Sequence, residues 1–283
     1  MKRIIILLAL LIPINSFAKR AITPAEKTLN SLISATNKTV DFDSLISAKE
    51  LADELKQDNK PVLVDVRPAD EFRKCFIPGS LNVPLYLLKT KSRFKNKKLV
   101  LLNEGHSYHL LTKELQKLKS NAFTNVRILR GGLVAWNKAR GQIKGDRFYL
   151  KDLNKLSPKE FFPDRDYEEI EIFQIHKRGE TLGRKVLPQA MGMPAMTSAR
   201  GTEKLAQTIN ALIARKKNKL LFVVIATSGE VDLTLENTLQ RAIDEPLFFL
   251  NGGTKAYESF LKGQVNLWLN AGRKRKEDCA TCQ

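Results

Sequence analysis

Pro61-Val62-Leu63-Val64-Asp65-Val66 is the stretch on which the fold turns. Its short apolar run reads as a strand buried on both faces. Upstream, Ser47 with Glu50 three residues later opens a helix that carries Leu51 and Leu55 on one face. Downstream come a turn-rich stretch (Phe76-Ile77-Pro78-Gly79-Ser80) and a second apolar strand (Leu99-Val100-Leu101-Leu102). A helix around Leu110 to Leu118, a third strand (Val126-Arg127-Ile128-Leu129) and the pair Gly131-Gly132 follow. Short apolar strands alternating with helices predict an α/β fold, a mainly parallel sheet with helices on both faces.

The same signals return in the same order one domain length later. Ser157-Pro158-Lys159-Glu160-Phe161 answers Ser47-Ala48-Lys49-Glu50-Leu51, and Ile170 to Ile175 answers the first strand. Leu187 to Pro194 answers Ile77 to Pro84, Leu220 to Ile225 answers the second strand, and Leu250-Asn251-Gly252-Gly253 answers Leu129-Arg130-Gly131-Gly132. The chain of 283 residues is long enough for two domains. The expected division is a signal peptide at 1–18, an N-terminal arm at 19–43, unit one at 44–141, a linker at 142–153, unit two at 154–270 and a basic tail at 271–283.

Met1 to Ala18 has a positive start (Lys2, Arg3), an apolar run (Ile4 to Ile14) and a small-residue exit (Ser16-Phe17-Ala18), the pattern of a secretory signal peptide. The run is short for a bilayer and contains Pro13. A periplasmic or otherwise extracytoplasmic location is expected. The net charge of +18 invites phosphate polymers, yet the clusters Lys89 to Lys98, Arg215 to Lys219 and Arg273 to Lys276 lack interleaved aromatics. Solvated basic faces fit better, with weak contact to an anionic membrane surface as a further possibility and nucleic acid disfavoured. The expected partner is another exported protein. No cofactor is called for.

VLVDVRPADEF (62–72), FIPGSLNVP (76–84) and LRGGLVAW (129–136) resemble the rhodanese-like domain, strongly in unit one and in degenerate form in unit two. The resemblance implies two tandem rhodanese-like domains. It also implies a cysteine at the end of a central strand, opening a C-x-x-G-x-R loop whose N–H groups converge on one spot. Such a nest stabilises an anion, lowers the thiol pKa and lets the thiolate relay a sulfane sulfur. Anchored on Gly105, unit one has Leu102 at the cysteine position and Ser107 at the arginine position. A register slid by one offers Asn103. Anchored on Gly229, unit two has Ala226 and Val231 there. Glu104 and Glu230 add negative charge to both cradles. Asp65 and Arg67 match the family's D-x-R pair, for which the resemblance implies an ion pair at the strand end, with Gln174 and His176 as counterparts. Cys75 replaces a family glycine and reads as a buried small side chain.

Three further features carry chemistry. His106 and His109 flank Ser107, where a Ser–His couple or a two-histidine metal site is conceivable, but the only other histidine is His176 and zinc normally takes three or four ligands. No metal site is expected. Cys279 and Cys282 follow a run of four cations and are either a passive disulfide or a functional dithiol. The expected function is an exported, non-catalytic binding or assembly module. The alternative is a thiol-dependent sulfurtransferase or redox partner acting through Cys279 and Cys282.

Overall fold

The computed structural model describes residues 23–34, 38–177, 180, 185–196, 198–216, 218–227 and 229–280. The expected signal peptide and Cys282 lie outside the described residues, as do the side chains of residues 272–280, Cys279 among them. In chain order the elements are α1 (Pro24–Ile33), β1 (Leu45–Ile46), α2 (Ala48–Glu54), β2 (Val62–Asp65), α3 (Ala69–Lys74), β3 (Cys75–Phe76), β4 (Leu81–Asn82), α4 (Leu85–Leu88), β5 (Leu99–Leu102), α5 (Tyr108–Ser120), β6 (Val126–Leu129) and α6 (Gly132–Lys138). There follow β7 (Lys144–Gly145), α7 (Arg147–Asp152), β8 (Lys155–Leu156), α8 (Pro158–Asp164), β9 (Ile170–His176), β10 (Met191–Pro194), α9 (Ala199–Ala214), β11 (Leu221–Ala226), α10 (Leu233–Ala242), β12 (Leu247–Leu250) and α11 (Gly253–Ala280).

Two five-stranded sheets result, and every pairing within them is parallel. Their orders are β1-β6-β5-β2-β4 and, read from the other edge, β8-β12-β11-β9-β10. Counted from the first strand of each unit, both run first, fifth, fourth, second, third. Each unit also opens on the same device. Ser47 caps α2 and Ser157 caps α8, each in a reciprocal capping box with the glutamate three residues on, Glu50 and Glu160.

Side chains alternate across the central strands, so both sheet faces must be covered. Leu99 and Leu101 of β5 enter one cluster, and Val100 and Leu102 enter another with Leu63 and Trp136. In β11, Leu221, Val223 and Ile225 join that first cluster, whereas Phe222, Val224 and Ala226 pack with Leu205 and Ile209 of α9. One continuous core is therefore shared by the two units, and it also takes in Tyr108 and Leu115 of α5, Phe161 of α8, and Tyr257 and Leu261 of α11.

The segments outside the units are folded onto them. Stretch 142–153, expected as a linker, supplies β7, which pairs antiparallel with β3 (Cys75↔Gly145, Phe76↔Lys144). In the expected arm, α1 begins in a Thr23–Glu26 capping box and packs against α11, and Lys38 bridges to Tyr167 of unit two. Residues 271–280, expected as tail, continue α11. No helix among the described residues is long and apolar enough to cross a membrane.

Among the contacts between the units is one made by Asp164, which is 1% exposed. Its carboxylate accepts from the backbone N–H groups of Tyr108 (2.9 Å) and His109 (3.0 Å), and His109 Nδ1 lies 2.6 Å away. The first turn of α5 has orphan donors and the positive end of the helix dipole, so a carboxylate there is doubly favoured. Asp164→Ala leaves those two amides without their acceptor and should lower stability by about 1–3 kcal/mol. Urea unfolding of the two proteins measures this; equal midpoints would contradict it.

Candidate functional site

The loop after β5 is built on glycine. Gly105 has φ +132°, and a Cβ there would lie 2.2 Å from the Gly131 carbonyl oxygen. Gly132 has φ +50°, and its Cβ would meet the Asn103 oxygen at 2.4 Å. Only residues without a side chain allow this approach. It lets the amides of Leu133 and Val134, at the start of α6, donate to the carbonyls of Asn103 (2.8 Å) and Glu104 (3.1 Å). Asn103 is itself buried, and its Nδ2 donates to the His106 carbonyl. That peptide therefore offers an oxygen, not an N–H, to the loop's interior. Ser107 sits in the left-handed region (φ 62°), where α5 begins.

Unit two repeats the arrangement with other letters. A Cβ on Gly253 (φ +63°) would meet the Ala226 oxygen at 2.4 Å and the Gly229 oxygen at 2.7 Å. Gln174 Nε2 donates to Thr254 Oγ1 (2.7 Å), which in turn donates to the Ala226 carbonyl (3.3 Å). The leading amide of each glycine pair is also satisfied from inside. Gly131 N–H donates to Tyr108 Oη (2.8 Å), and Gly252 N–H donates to Glu230 Oε1 (2.7 Å). Val231 is buried in its unit's own core.

Strand register aligns the two loops. Asp65 is opposite Leu102 in β2–β5, and Gln174 is opposite Ile225 in β9–β11. With Asp65 matched to Gln174, Leu102 corresponds to Ile225 and Asn103 to Ala226. The glycine contacts agree, since the first carbonyl each pair shields belongs to Asn103 in one unit and to Ala226 in the other. Leu102 is the last strand residue and is fully buried among core side chains. Only Glu104 separates Asn103 from Gly105, so this loop is one residue shorter than its twin.

At the end of β2, Arg67 Nη2 pairs with Asp65 Oδ2 at 2.7 Å, and both groups are buried. The guanidinium also donates to the Cys75 carbonyl (2.6 Å), and Nη1 lies 3.8 Å from its Sγ. One side chain thus ties the strand end to β3. The Cys75 thiol is fully buried, and burial raises its pKa even though Arg67 opposes the shift. Burial likewise pushes the Glu104 carboxyl up from its ordinary 4.5, against the attraction of nearby positive charge. Asp65 opposes Glu104's ionisation too.

The histidines go separate ways. His106 Nδ1 is 2.9 Å from Ser107 Oγ, and its ring stands edge-on to Phe248 of β12, whereas His109 is held by Asp164. No carboxylate is seen to orient His106 toward Ser107, and no group of three His, Cys, Asp or Glu suited to a metal occurs among the described residues. Two cavities of about 590 and 350 Å³ lie between the units, and none of the residues 103–107 or 226–230 lines either of them.

Residues 47–139 match the family model of the rhodanese-like domain. The chain contains a rhodanese-like domain. Among curated proteins it is similar to the adenylyltransferase and sulfurtransferase MOCS3 of Arabidopsis thaliana, at 29% identity over 110 residues, covering 33% of this chain and 24% of that protein. It is also similar to MOCS3-1 of Zea mays, at 34% identity over 98 residues, covering 32% of this chain and 20% of that one. The chain thus spans a quarter or less of these relatives. Among solved structures, the BH2092 protein of Bacillus halodurans is 26% identical over 36% of this chain and 76% of its own, with a TM-score of 0.32. A thiosulfate sulfurtransferase of Pseudomonas aeruginosa is 16% identical over 76% of this chain and 42% of its own, with a TM-score of 0.33.

Two measurements check the electrostatics of this site. A carboxyl with a raised folded-state pKa favours the unfolded chain once it must ionise. The penalty is absent well below pH 4.5 and grows as pH rises above it. Glu104→Gln should therefore raise the melting temperature at pH 7, and the gain should vanish near the acid end; a gain that does not change with pH would contradict this. In native protein Cys75 should resist alkylation by iodoacetamide until denaturant is added, as read by peptide mass spectrometry.

Proposed function

We propose that the chain is an exported tandem rhodanese-like protein whose units serve binding or assembly, with another exported protein as partner, and do not transfer sulfur. The observation that carries this is Asp164 on the amides of Tyr108 and His109. A sulfur-relaying thiolate needs free N–H groups converging on it. In unit one the amides at the loop's exit already hold an internal anion. The inward His106 oxygen would also repel a persulfide there, and Glu104 adds an acidic residue to the same loop.

Neither loop holds a cysteine, since the three in the chain are Cys75, Cys279 and Cys282. Cys75 is closed off by burial. The sulfurtransferase named in the MOCS3 relatives therefore lacks its expected nucleophile in either loop of this chain. Fold likeness alone does not restore the chemistry. Support for a tandem repeat comes from the shared strand order, the paired capping boxes and the twin glycine pairs against Asn103 and Ala226.

The test is thiosulfate-to-cyanide sulfur transfer, followed as thiocyanate, by the mature protein, by Asn103→Cys and by Cys279→Ser/Cys282→Ser. No transfer above background is expected from any of them, the engineered cysteine included, because Glu104 and Asp164 remain. Transfer by Asn103→Cys at rates usual for the family would show the cradle to be intact and overturn the reading. Transfer by the mature protein that disappears with Cys279→Ser/Cys282→Ser would replace it with the dithiol alternative.

A further inference from the structure

Helix α11 carries an apolar stripe that outlasts the body covering it. Tyr257, Leu261 and Val265 lie four residues apart and are all buried. Trp268 comes three residues after Val265, on the same face of a helix with 3.6 residues per turn. Yet Trp268 is 63% exposed, and so is its neighbour Leu267. From Val265 to the end of α11 the helix runs on for about 22 Å. Within that length the sequence places Arg273, Lys274, Arg275 and Lys276.

We infer that this end of α11 is a docking site for an anionic lipid surface, with Leu267 and Trp268 entering the headgroup boundary and the cationic run pairing with lipid phosphates. An exposed Leu–Trp step is costly in water, and apolar side chains with basic residues a turn or two further along the same helix are the combination that settles at an anionic bilayer interface. Tryptophan favours that interface because its ring is apolar and its N–H is polar. The four cations outweigh Glu277 and Asp278, which follow them, and leave this end of the helix with a net +2, for which anionic lipid supplies the complement. A second copy of the chain is a poor occupant, because it would bring the same cationic run and a net charge of +18 against its like.

The experiment uses the mature protein, without the apolar run Ile4 to Ile14, and vesicles of equimolar phosphatidylglycerol and phosphatidylcholine, beside vesicles of phosphatidylcholine alone. Co-sedimentation with the anionic vesicles only is expected, weakened by added salt. The chain has two tryptophans, and Trp136 is buried, so quenching of emission by brominated lipid chains reports on Trp268. Leu267→Ser/Trp268→Ser should weaken binding about tenfold or more, as expected for losing two buried apolar side chains. Both residues are exposed, so this variant should fold as the parent does. Absence of vesicle binding would overturn the inference. So would binding without quenching, or binding by the double variant equal to that of the parent, either of which reduces the contact to surface charge. Concentration-dependent self-association that shields Trp268 while vesicles leave it unchanged would assign the stripe to a second copy instead.

Discussion

Every backbone N–H at the start of a helix must find an acceptor, and in α5 the acceptor for two of them arrives from fifty-odd residues downstream. Asp164 ends α8 with its carboxylate buried against the first turn of α5. A buried carboxylate is tolerated only where donors surround it, and a buried helix end only where an acceptor meets it. Each solves the other's problem. The contact thereby fixes α8 against α5, and with them the orientation of the shared core into which Phe161 and Tyr108 both project.

The same bookkeeping of donors explains why the two loops differ in letters and agree in shape. Each glycine pair brings a helix start so close to a strand end that the loop's first carbonyl is taken by it, through the Leu133 amide on Asn103 in unit one and the Thr254 hydroxyl on Ala226 in unit two. What remains is the leading amide of the pair, and each unit fills it differently, with Tyr108 Oη or with Glu230. A loop of this kind is a way of joining strand to helix before it is a way of holding a sulfur anion.

Much of this was legible in the residues. The strands at 99–102 and 126–129, the capping boxes at Ser47 and Ser157, and the parallel α/β class follow from local signals, and the structure has them. The loop register was harder. Anchoring on Gly105 sets Leu102 in the nucleophile position, whereas sheet pairing makes Asn103 the counterpart of Ala226, because one loop is a residue shorter and no local signal marks the deletion. Asp164 was invisible for another reason. Two of its three partners are backbone amides, which every sequence has everywhere, so only tertiary structure can choose them. The 142–153 stretch lacks long apolar runs, and its pairing with Cys75 and Phe76 has no period to announce it.

The shared core has a bearing on the order in which the chain can acquire structure. Leu99, Leu101, Leu111 and Leu115 of unit one complete their packing against a cluster that includes Phe161, Tyr257 and Leu261. A nascent chain whose synthesis has reached only the linker lacks the residues that wall one face of its first sheet and the carboxylate that accepts from the first turn of α5. Completion waits on contacts of long sequence separation, which close slowly and expose apolar surface in the meantime. Two units that look separable along the sequence thus share one cluster, in which residues near the start of the chain pack with residues near its end.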